Sequence, residues 1–349
     1  MKALAPLLFA GALAGAAALR ARRTPDDLRG EVAVVTGASR GLGLLLAGEL
    51  ARQGCPLVIC ARDPAELDRA AAQLRSSGAE VTTVACDVTD EATPDLLVQT
   101  AIDRYGRLDI VVSNAGIIQV GPVAADNREQ AAATVERFET AMSTMALAPA
   151  RLALAALPVM RTRGHGRIVT VASIGGKLSV PHLLPYSTAK FAAVGFSEGL
   201  RAELGRGPVT VTTVVPGLMR TGSHLQARFT GQAAKEFTWF SLGASLPLIS
   251  MDAERAAQQI VAAVRERRAE IILTPAGQVV SRLAALAPGV TSEALNLVQR
   301  LALPAPSAGA AAEGETPGHD LDPAAPRPVF DRLTTLGRAA ARRFNERPQ

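Results

Sequence analysis

Cysteine, histidine and aromatic side chains are all scarce in this chain, and each scarcity closes off a class of function. The 349 residues include three cysteines and four histidines. Cys55, Cys60 and Cys86 are odd in number and have no metal-ligand spacing, so neither a disulfide framework nor a metal centre is expected. They read as reduced packing residues of an intracellular protein. A large excess of one charge is also missing. The net charge of +5 is too modest to imply a nucleic-acid partner. Aromatics make up only 3%, so any place where they gather carries information. No internal repeat is present beyond an alternation of strand-like and helix-like segments.

What the chain does have is apolar bulk. Hydrophobic residues are 48% of it, enough for one large domain or two small ones. Residues 3–19 are wholly apolar and are followed at once by Arg20, Arg22 and Arg23. As a helix they reach about 26 Å, against a hydrocarbon core of about 30 Å. A membrane anchor, an extra soluble helix and a cleaved signal peptide all fit this segment. As an anchor it would keep the following domain on the cytoplasmic side, because the arginines stay there.

Glu31 to Thr36 reads as a buried strand, and Gly37-Ala38-Ser39-Arg40-Gly41-Leu42-Gly43 follows before a helical pattern. Strand, glycine loop and helix make a dinucleotide seat. Glycines let the backbone approach a pyrophosphate, and the helix N-terminus favours its charge. A second strand, Leu57 to Ala61, ends at Arg62. An acid near this strand end would suit the ribose hydroxyls of NAD. Here the position is neutral, and Arg40 and Arg62 suit the 2′-phosphate of NADP. Asp63, just beyond, keeps NAD in play. A third strand, Val81 to Ala85, leads to Asp87-Val88, where Asp87 can reach an adenine amine. A fourth, Leu108 to Val112, leads to Asn114-Ala115-Gly116, where Asn114 can satisfy backbone groups. Strands alternating with helices predict a parallel sheet covered on both faces.

Tyr186 and Lys190 lie four residues apart on one predicted helix face. Bringing a phenol from its usual pKa of about 10 to neutrality takes about 4 kcal/mol. An exposed contact supplies only about 0.5 kcal/mol. An ammonium in a partly desolvated cleft supplies about 4 kcal/mol at an effective dielectric near 20. The pair therefore works only inside an enclosed site. Ser173 follows the apolar run Ile168 to Ala172, which puts its hydroxyl at a strand end.

The glycine loop from Thr36, Asp87, Asn114-Ala115-Gly116, Ser173, Tyr186-x3-Lys190 and Pro216-Gly217-x3-Thr221 occur in this order. On these motifs residues 30–275 closely resemble the short-chain dehydrogenase/reductase family. The resemblance implies a seven-stranded doubly wound fold and a nicotinamide cofactor. It implies Tyr186 as acid/base, Lys190 as its activator and ribose ligand, and Ser173 as carbonyl stabiliser. Pro216, Gly217 and Thr221 would sit beside the nicotinamide. The chain departs from the family at one place. An Asn that often holds a relay water is replaced by Met145, with Ser143 and Thr144 as neighbours. Homodimerisation through the helix bearing Phe191, Val194 and Leu200 is also implied.

Phe229, Phe237, Trp239 and Phe240 gather in residues 222–250. They read either as a lid over an apolar substrate or as a packed subdomain. Residues 276–303 predict a helical extension, 304–328 a Pro- and Ala-rich linker, and 329–349 a basic last helix, on the surface or on a membrane. The functional expectation is NADP-linked oxidation or reduction of a hydrophobic alcohol or carbonyl compound. The competing expectation is a non-catalytic nucleotide-binding regulator or scaffold.

Overall fold

The computed structural model describes residues 25–123, 126–247, 249–305, 314–322 and 328–346. The apolar segment 3–19 lies outside the described residues.

The apolar runs form strands, and the central ones are buried along their length. β1 (Ala33–Thr36), β2 (Leu57–Ala61), β3 (Val81–Ala85), β4 (Ile110–Ser113), β5 (Gly166–Val171), β6 (Val209–Val215) and β7 (Glu270–Ile272) make one sheet. Their order across it is β7-β6-β5-β4-β1-β2-β3, and every pairing is parallel. Parallel strands require crossover helices, which then shield the sheet. These helices are α1 (Gly41–Arg52), α2 (Pro64–Ser76), α3 (Thr93–Tyr105), α4 (Arg128–Met142), α5 (Ala148–Arg163), α6 (Leu184–Leu204), α7 (Ala233–Ser245) and α8 (Ala253–Arg265).

Two apolar clusters mark the two faces. Leu44 and Leu46 of α1, Leu67 and Leu74 of α2, and Ala256 and Ile260 of α8 cover one face. Leu97 of α3, Leu152 and Met160 of α5, and Phe196 and Leu200 of α6 cover the other. The buried set of α8 recurs at helical spacing, Ala253, Ala256, Ala257, Ile260, Val261 and Val264. Strand order reverses between β1 and β4, and the chain leaves these strands toward opposite faces. That opens a crevice at their C-terminal ends.

α4 continues through one wider helical turn, Ser143–Leu147, into α5. Among the described residues, this 128–163 helix is the one long and apolar enough to cross a membrane. Its Leu152, Ala156 and Met160 instead pack into the core beneath the sheet.

Beyond β7, α9 (Pro275–Leu286) and α10 (Pro288–Ala302) form the extension, and α10 has no buried residue. Part of the stretch expected as a flexible linker is ordered. Thr316–Pro317 pairs with Arg228–Phe229. Glu315 holds it there, accepting from Gln119 at 2.9 Å and Arg228 at 3.1 Å.

α11 (Pro328–Arg343) packs on α7 and on the loop after β6. Small residues allow the close approach. A Cβ on Gly337 would meet Ser245 Oγ at 2.3 Å, and one on Gly222 would meet Ala341 Cα at 2.4 Å. Thr334 and Ala341 are fully buried. The helix thus has a packed face, in addition to the basic face that led to the solvated or membrane-lying expectation.

Candidate active site

The glycine loop folds as the sequence pattern requires. Gly37 and Gly41 take positive φ, 64° and 54°. A Cβ on Gly43 would lie 2.0 Å from Gly37 O, so only glycine lets α1 start this close to the loop. Asn114 ties the loop to β4, donating from Nδ2 to Thr36 O and Gly37 O, each at 3.1 Å. The Thr36 hydroxyl accepts from the amides of Asn114 and Ala115. Leu42 points away from the loop, into the core. Val88, Ala115 and Thr144 line a small crevice at the strand ends with Thr36 and Ser113.

The two arginines expected at a 2′-phosphate both have acidic partners. Arg40 pairs with Glu66 and faces Glu346 at 3.5 Å. Ser39 Oγ also donates to Glu66, at 3.2 Å. Arg62 is exposed and lies 3.9 Å from Asp87. Asp63 is accounted for locally, because its carboxylate caps α2 by accepting from Glu66 N at 2.9 Å. Burial opposes ionisation of Asp87, but the Thr89 amide and hydroxyl, with Arg62, hold its carboxyl below the ordinary range.

Ser173, Tyr186 and Lys190 come together at the end of β5. Ser173 caps a short helical turn, accepting from Gly175 N at 3.1 Å. A Cβ on Gly175 would contact both Tyr186 Cε1, at 3.1 Å, and Ser173 Oγ, at 3.5 Å. Burial raises the Tyr186 phenol above its usual pKa, and the adjacent Ser173 hydroxyl opposes that rise. The Lys190 ammonium donates to Val171 O at 2.8 Å and lies 5.7 Å from the Tyr186 ring centre. Burial pulls the Lys190 pKa down to about 8. The Val171 carbonyl that anchors this amine is a backbone group, invisible to any side-chain motif.

Around this trio, Met145 sits in the wide helical turn against Ala189 and Tyr186. Its sulfur lies 3.4 Å from where a Gly116 Cβ would be. A thioether there donates no hydrogen bond. His182 has φ 62°, unusual outside glycine. Its Nδ1 pairs with Glu236 Oε1 at 2.8 Å, while Trp239 Nε1 donates to Glu236 Oε2 at 2.6 Å. This set, with His182 and Glu236 buried, ties the loop before Tyr186 to α7, and no sequence motif flagged it. Phe229, Phe237 and Phe240 pack on one another, and Phe237 on Phe330 of α11. They belong to one packed cluster with Leu183 and Tyr186. Pro216 accepts from Ile174 N at 2.7 Å, which brings the loop carrying Gly217 and Thr221 against the Ser173 turn.

The loop fits a dinucleotide on its own geometry. Its glycines leave a cradle that any Cβ would fill, and an oxygen-bearing side chain, that of Glu346, already rests in it beside Gly41. A glycine-lined seat after β1, with β4 between it and the buried phenol and amine at the end of β5, defines a dinucleotide-dependent oxidoreductase. Comparison with known proteins agrees. The sequence profile described as short chain dehydrogenase matches residues 31–230. A putative ketoacyl reductase of the granaticin polyketide synthase, from Streptomyces violaceoruber, is 35% identical over 234 residues, 65% of this chain and 84% of the relative. Dehydrogenase/reductase SDR family member 4 of Bos taurus is 35% identical over 201 residues, 58% of this chain and 69% of the relative. A short-chain dehydrogenase/reductase from Burkholderia phymatum in complex with NAD superposes with a TM-score of 0.67 at 25% identity, covering 76% and 96% of the two chains. L-sorbose reductase from Gluconobacter frateurii, complexed with NADPH and L-sorbose, gives 0.61 at 27% identity over 72% and 97%. The chain belongs to the short-chain dehydrogenase/reductase family and is an NAD(P)-dependent dehydrogenase/reductase.

Proposed function

We propose that the protein interconverts a bulky apolar alcohol and its carbonyl compound, with NADP preferred over NAD. The observation that carries the chemistry is the meeting of Ser173, Tyr186 and Lys190 at one strand end beside the glycine loop. The nicotinamide, when bound, supplies or accepts the hydride. Tyr186 Oη gives a proton to the substrate oxygen in reduction and takes it in oxidation. The Ser173 hydroxyl donates a hydrogen bond to that same oxygen as charge develops on it. Lys190, held by the Val171 carbonyl, keeps a cationic charge near the phenol and favours the phenolate. The loop residues Gly37, Ser39, Gly41, Leu42 and Gly43 would cradle the pyrophosphate. Asp87, Val88 and Asn114 to Gly116 would take the adenosine side. Pro216, Gly217 and Thr221 would flank the nicotinamide.

Arg40 and Arg62 support the NADP preference, since either makes a charge-assisted contact with a 2′-phosphate. Glu66 is the counterweight, because it already pairs with Arg40. The preference is tested by titrating both reduced cofactors. NADPH is expected to bind more tightly than NADH, and Ala61→Asp is expected to reverse that order. Equal affinities in the parent protein would defeat the assignment.

Ile118, Val180, Leu183 and Leu218 pack with Tyr186 and support an apolar substrate. Each buried methylene adds about 0.8 kcal/mol. A series of ketones differing only in apolar size should therefore rise in kcat/KM with size. A preference for the smallest polar member would overturn the substrate class. Exposed Leu154 of α5 and Phe191 of α6, with Leu147 in the turn before α5, support a dimer across this face. Val194 and Leu200 do not contribute, since they face the protein's own interior. We also propose that residues 3–19 hold the protein to a membrane. Full-length protein should sediment with membranes and resist salt, and recovery in the soluble fraction would remove the anchor.

A further inference from the structure

The chain after α11 makes a tight turn and seats itself on the glycine loop. Phe344 O accepts from Gly41 N at 2.9 Å. Asn345 Nδ2 donates to Ser39 O at 3.3 Å, and Gln226 Nε2 donates to Glu346 O at 2.9 Å. Asn345 supplies the left-handed turn, with φ 59°, a conformation Asn tolerates better than most residues. The turn aims the Glu346 side chain into the cradle. Glu346 Oε1 lies 2.5 Å from where a Gly41 Cβ would be, and Thr221 Cβ is 3.9 Å from the same point. Glu346 is only 4% exposed. Its Oε2 is buried without a hydrogen-bond partner and faces Arg40 Nε at 3.5 Å.

Glu346 therefore lies between Gly41 and Thr221, two residues assigned to the dinucleotide, and beside a third, Arg40. The Gly41 amide, at the start of α1, is turned to a carbonyl of the same chain. A pyrophosphate and this turn cannot share that space, because both need the volume that glycine leaves open at position 41. The turn is not loosely placed. Phe344 packs with Leu45 and Ala253, and α11 behind it is fitted closely against α7 and Gly222. The buried carboxylate oxygen without a partner is the weak point of this otherwise satisfied contact.

We propose that Phe344–Glu346 is a built-in competitor of the dinucleotide, seated on the glycine loop until the cofactor displaces it. This rests on the glycine loop being the cofactor seat. Binding of cofactor then requires the tail to leave, and Arg40 exchanges Glu346 for the cofactor's phosphate. The tail lowers the apparent affinity by the fraction of molecules in which it is docked.

Two variants of the full chain test this by different routes. Glu346→Ala removes the plug, and Asn345→Ile disfavours the left-handed turn that aims it. Both follow α11, and neither belongs to the buried clusters that cover the sheet. Dissociation constants for NADPH and NADH are measured by calorimetry, and amide hydrogen exchange is followed over residues 337–346. Both variants are expected to bind dinucleotide at least about fivefold more tightly than the parent. In the parent, exchange in the tail is expected to speed up when cofactor is added. Unchanged affinities in both variants would overturn the proposal and leave the cofactor site intact. Weaker binding in the variants, with cofactor slowing tail exchange, would also overturn it and make the tail a clamp. No dinucleotide binding by any of the three proteins would overturn the cofactor assignment of the loop, and the tail proposal with it.

Discussion

Tyr186 is the residue on which the proposed chemistry turns, and its surroundings set out what each neighbour would contribute. Tyr186→Phe keeps the ring and its packing but removes the transferable proton. A loss of at least about a hundredfold in kcat is expected, with cofactor affinity nearly unchanged by titration. Lys190 adds a stability signature. Its folded pKa, about 8, is below the usual 10.5 because burial disfavours the ammonium. The unfolded chain thus binds more protons than the folded one between pH 8 and 10.5. Stability rises with pH through that window, and the full cost is present below it. Lys190→Met should abolish turnover yet raise the melting temperature at neutral pH. The gain, on the order of 3 kcal/mol, should shrink as pH approaches 10.5 in thermal melts across pH. Glu236 makes the opposite case. Glu236→Ala strands the buried His182 and removes the acceptor of the half-buried Trp239, and about 2 kcal/mol should be lost in denaturant titration. Motif spacing in the sequence already marked Ser173, Tyr186 and Lys190. The His182–Glu236–Trp239 set was not legible, because His182 is 54 residues from Glu236 and no local pattern joins them, although Glu236 and Trp239 are neighbours on α7.

At the scale of elements, strands were the most legible part. Runs rich in β-branched residues become β2 and β3 with the expected ends, Leu57–Ala61 and Val81–Ala85, and β2, paired on both sides, has the unbroken apolar run. Docking of α11 was not legible. It rests on Gly337, Ala340 and Ala341, whose small side chains contribute little to a hydrophobic pattern while permitting close approach. The tail that follows should respond to pH. Burial raises the Glu346 carboxyl to about 8, Arg40 opposes the rise and Glu66 adds to it. A carboxyl that keeps its proton when docked favours docking at low pH. The docked state should weaken as pH rises from 4.5 through about 8. Limited proteolysis after Arg342 and Arg343 should therefore be faster at pH 9 than at pH 6, corrected for protease activity. Equal rates would place the carboxylate in water. Gly222→Ala should act on the same element. Its φ of 93° and the 2.4 Å approach of Ala341 leave no room for a methyl, so the variant should expose the tail at every pH.

For the whole molecule, the fold class followed from the alternation of strand and helix, and the crevice from the place where strand order reverses. What surrounds that crevice was less legible. The aromatics of residues 222–250 turn inward on one another and on Phe330, a choice that depends on contacts about a hundred residues away. The central claim remains the proton-transfer role of a phenol beside a nicotinamide site. Its most direct measurement is consumption of reduced nicotinamide by the full-length protein over a panel of ketones, with Tyr186→Phe run in parallel. The account predicts turnover of at least one bulky apolar ketone by the parent, with its alcohol identified as product, and turnover at least about a hundredfold lower in the variant. Near-normal turnover by Tyr186→Phe, with cofactor bound normally, would contradict it.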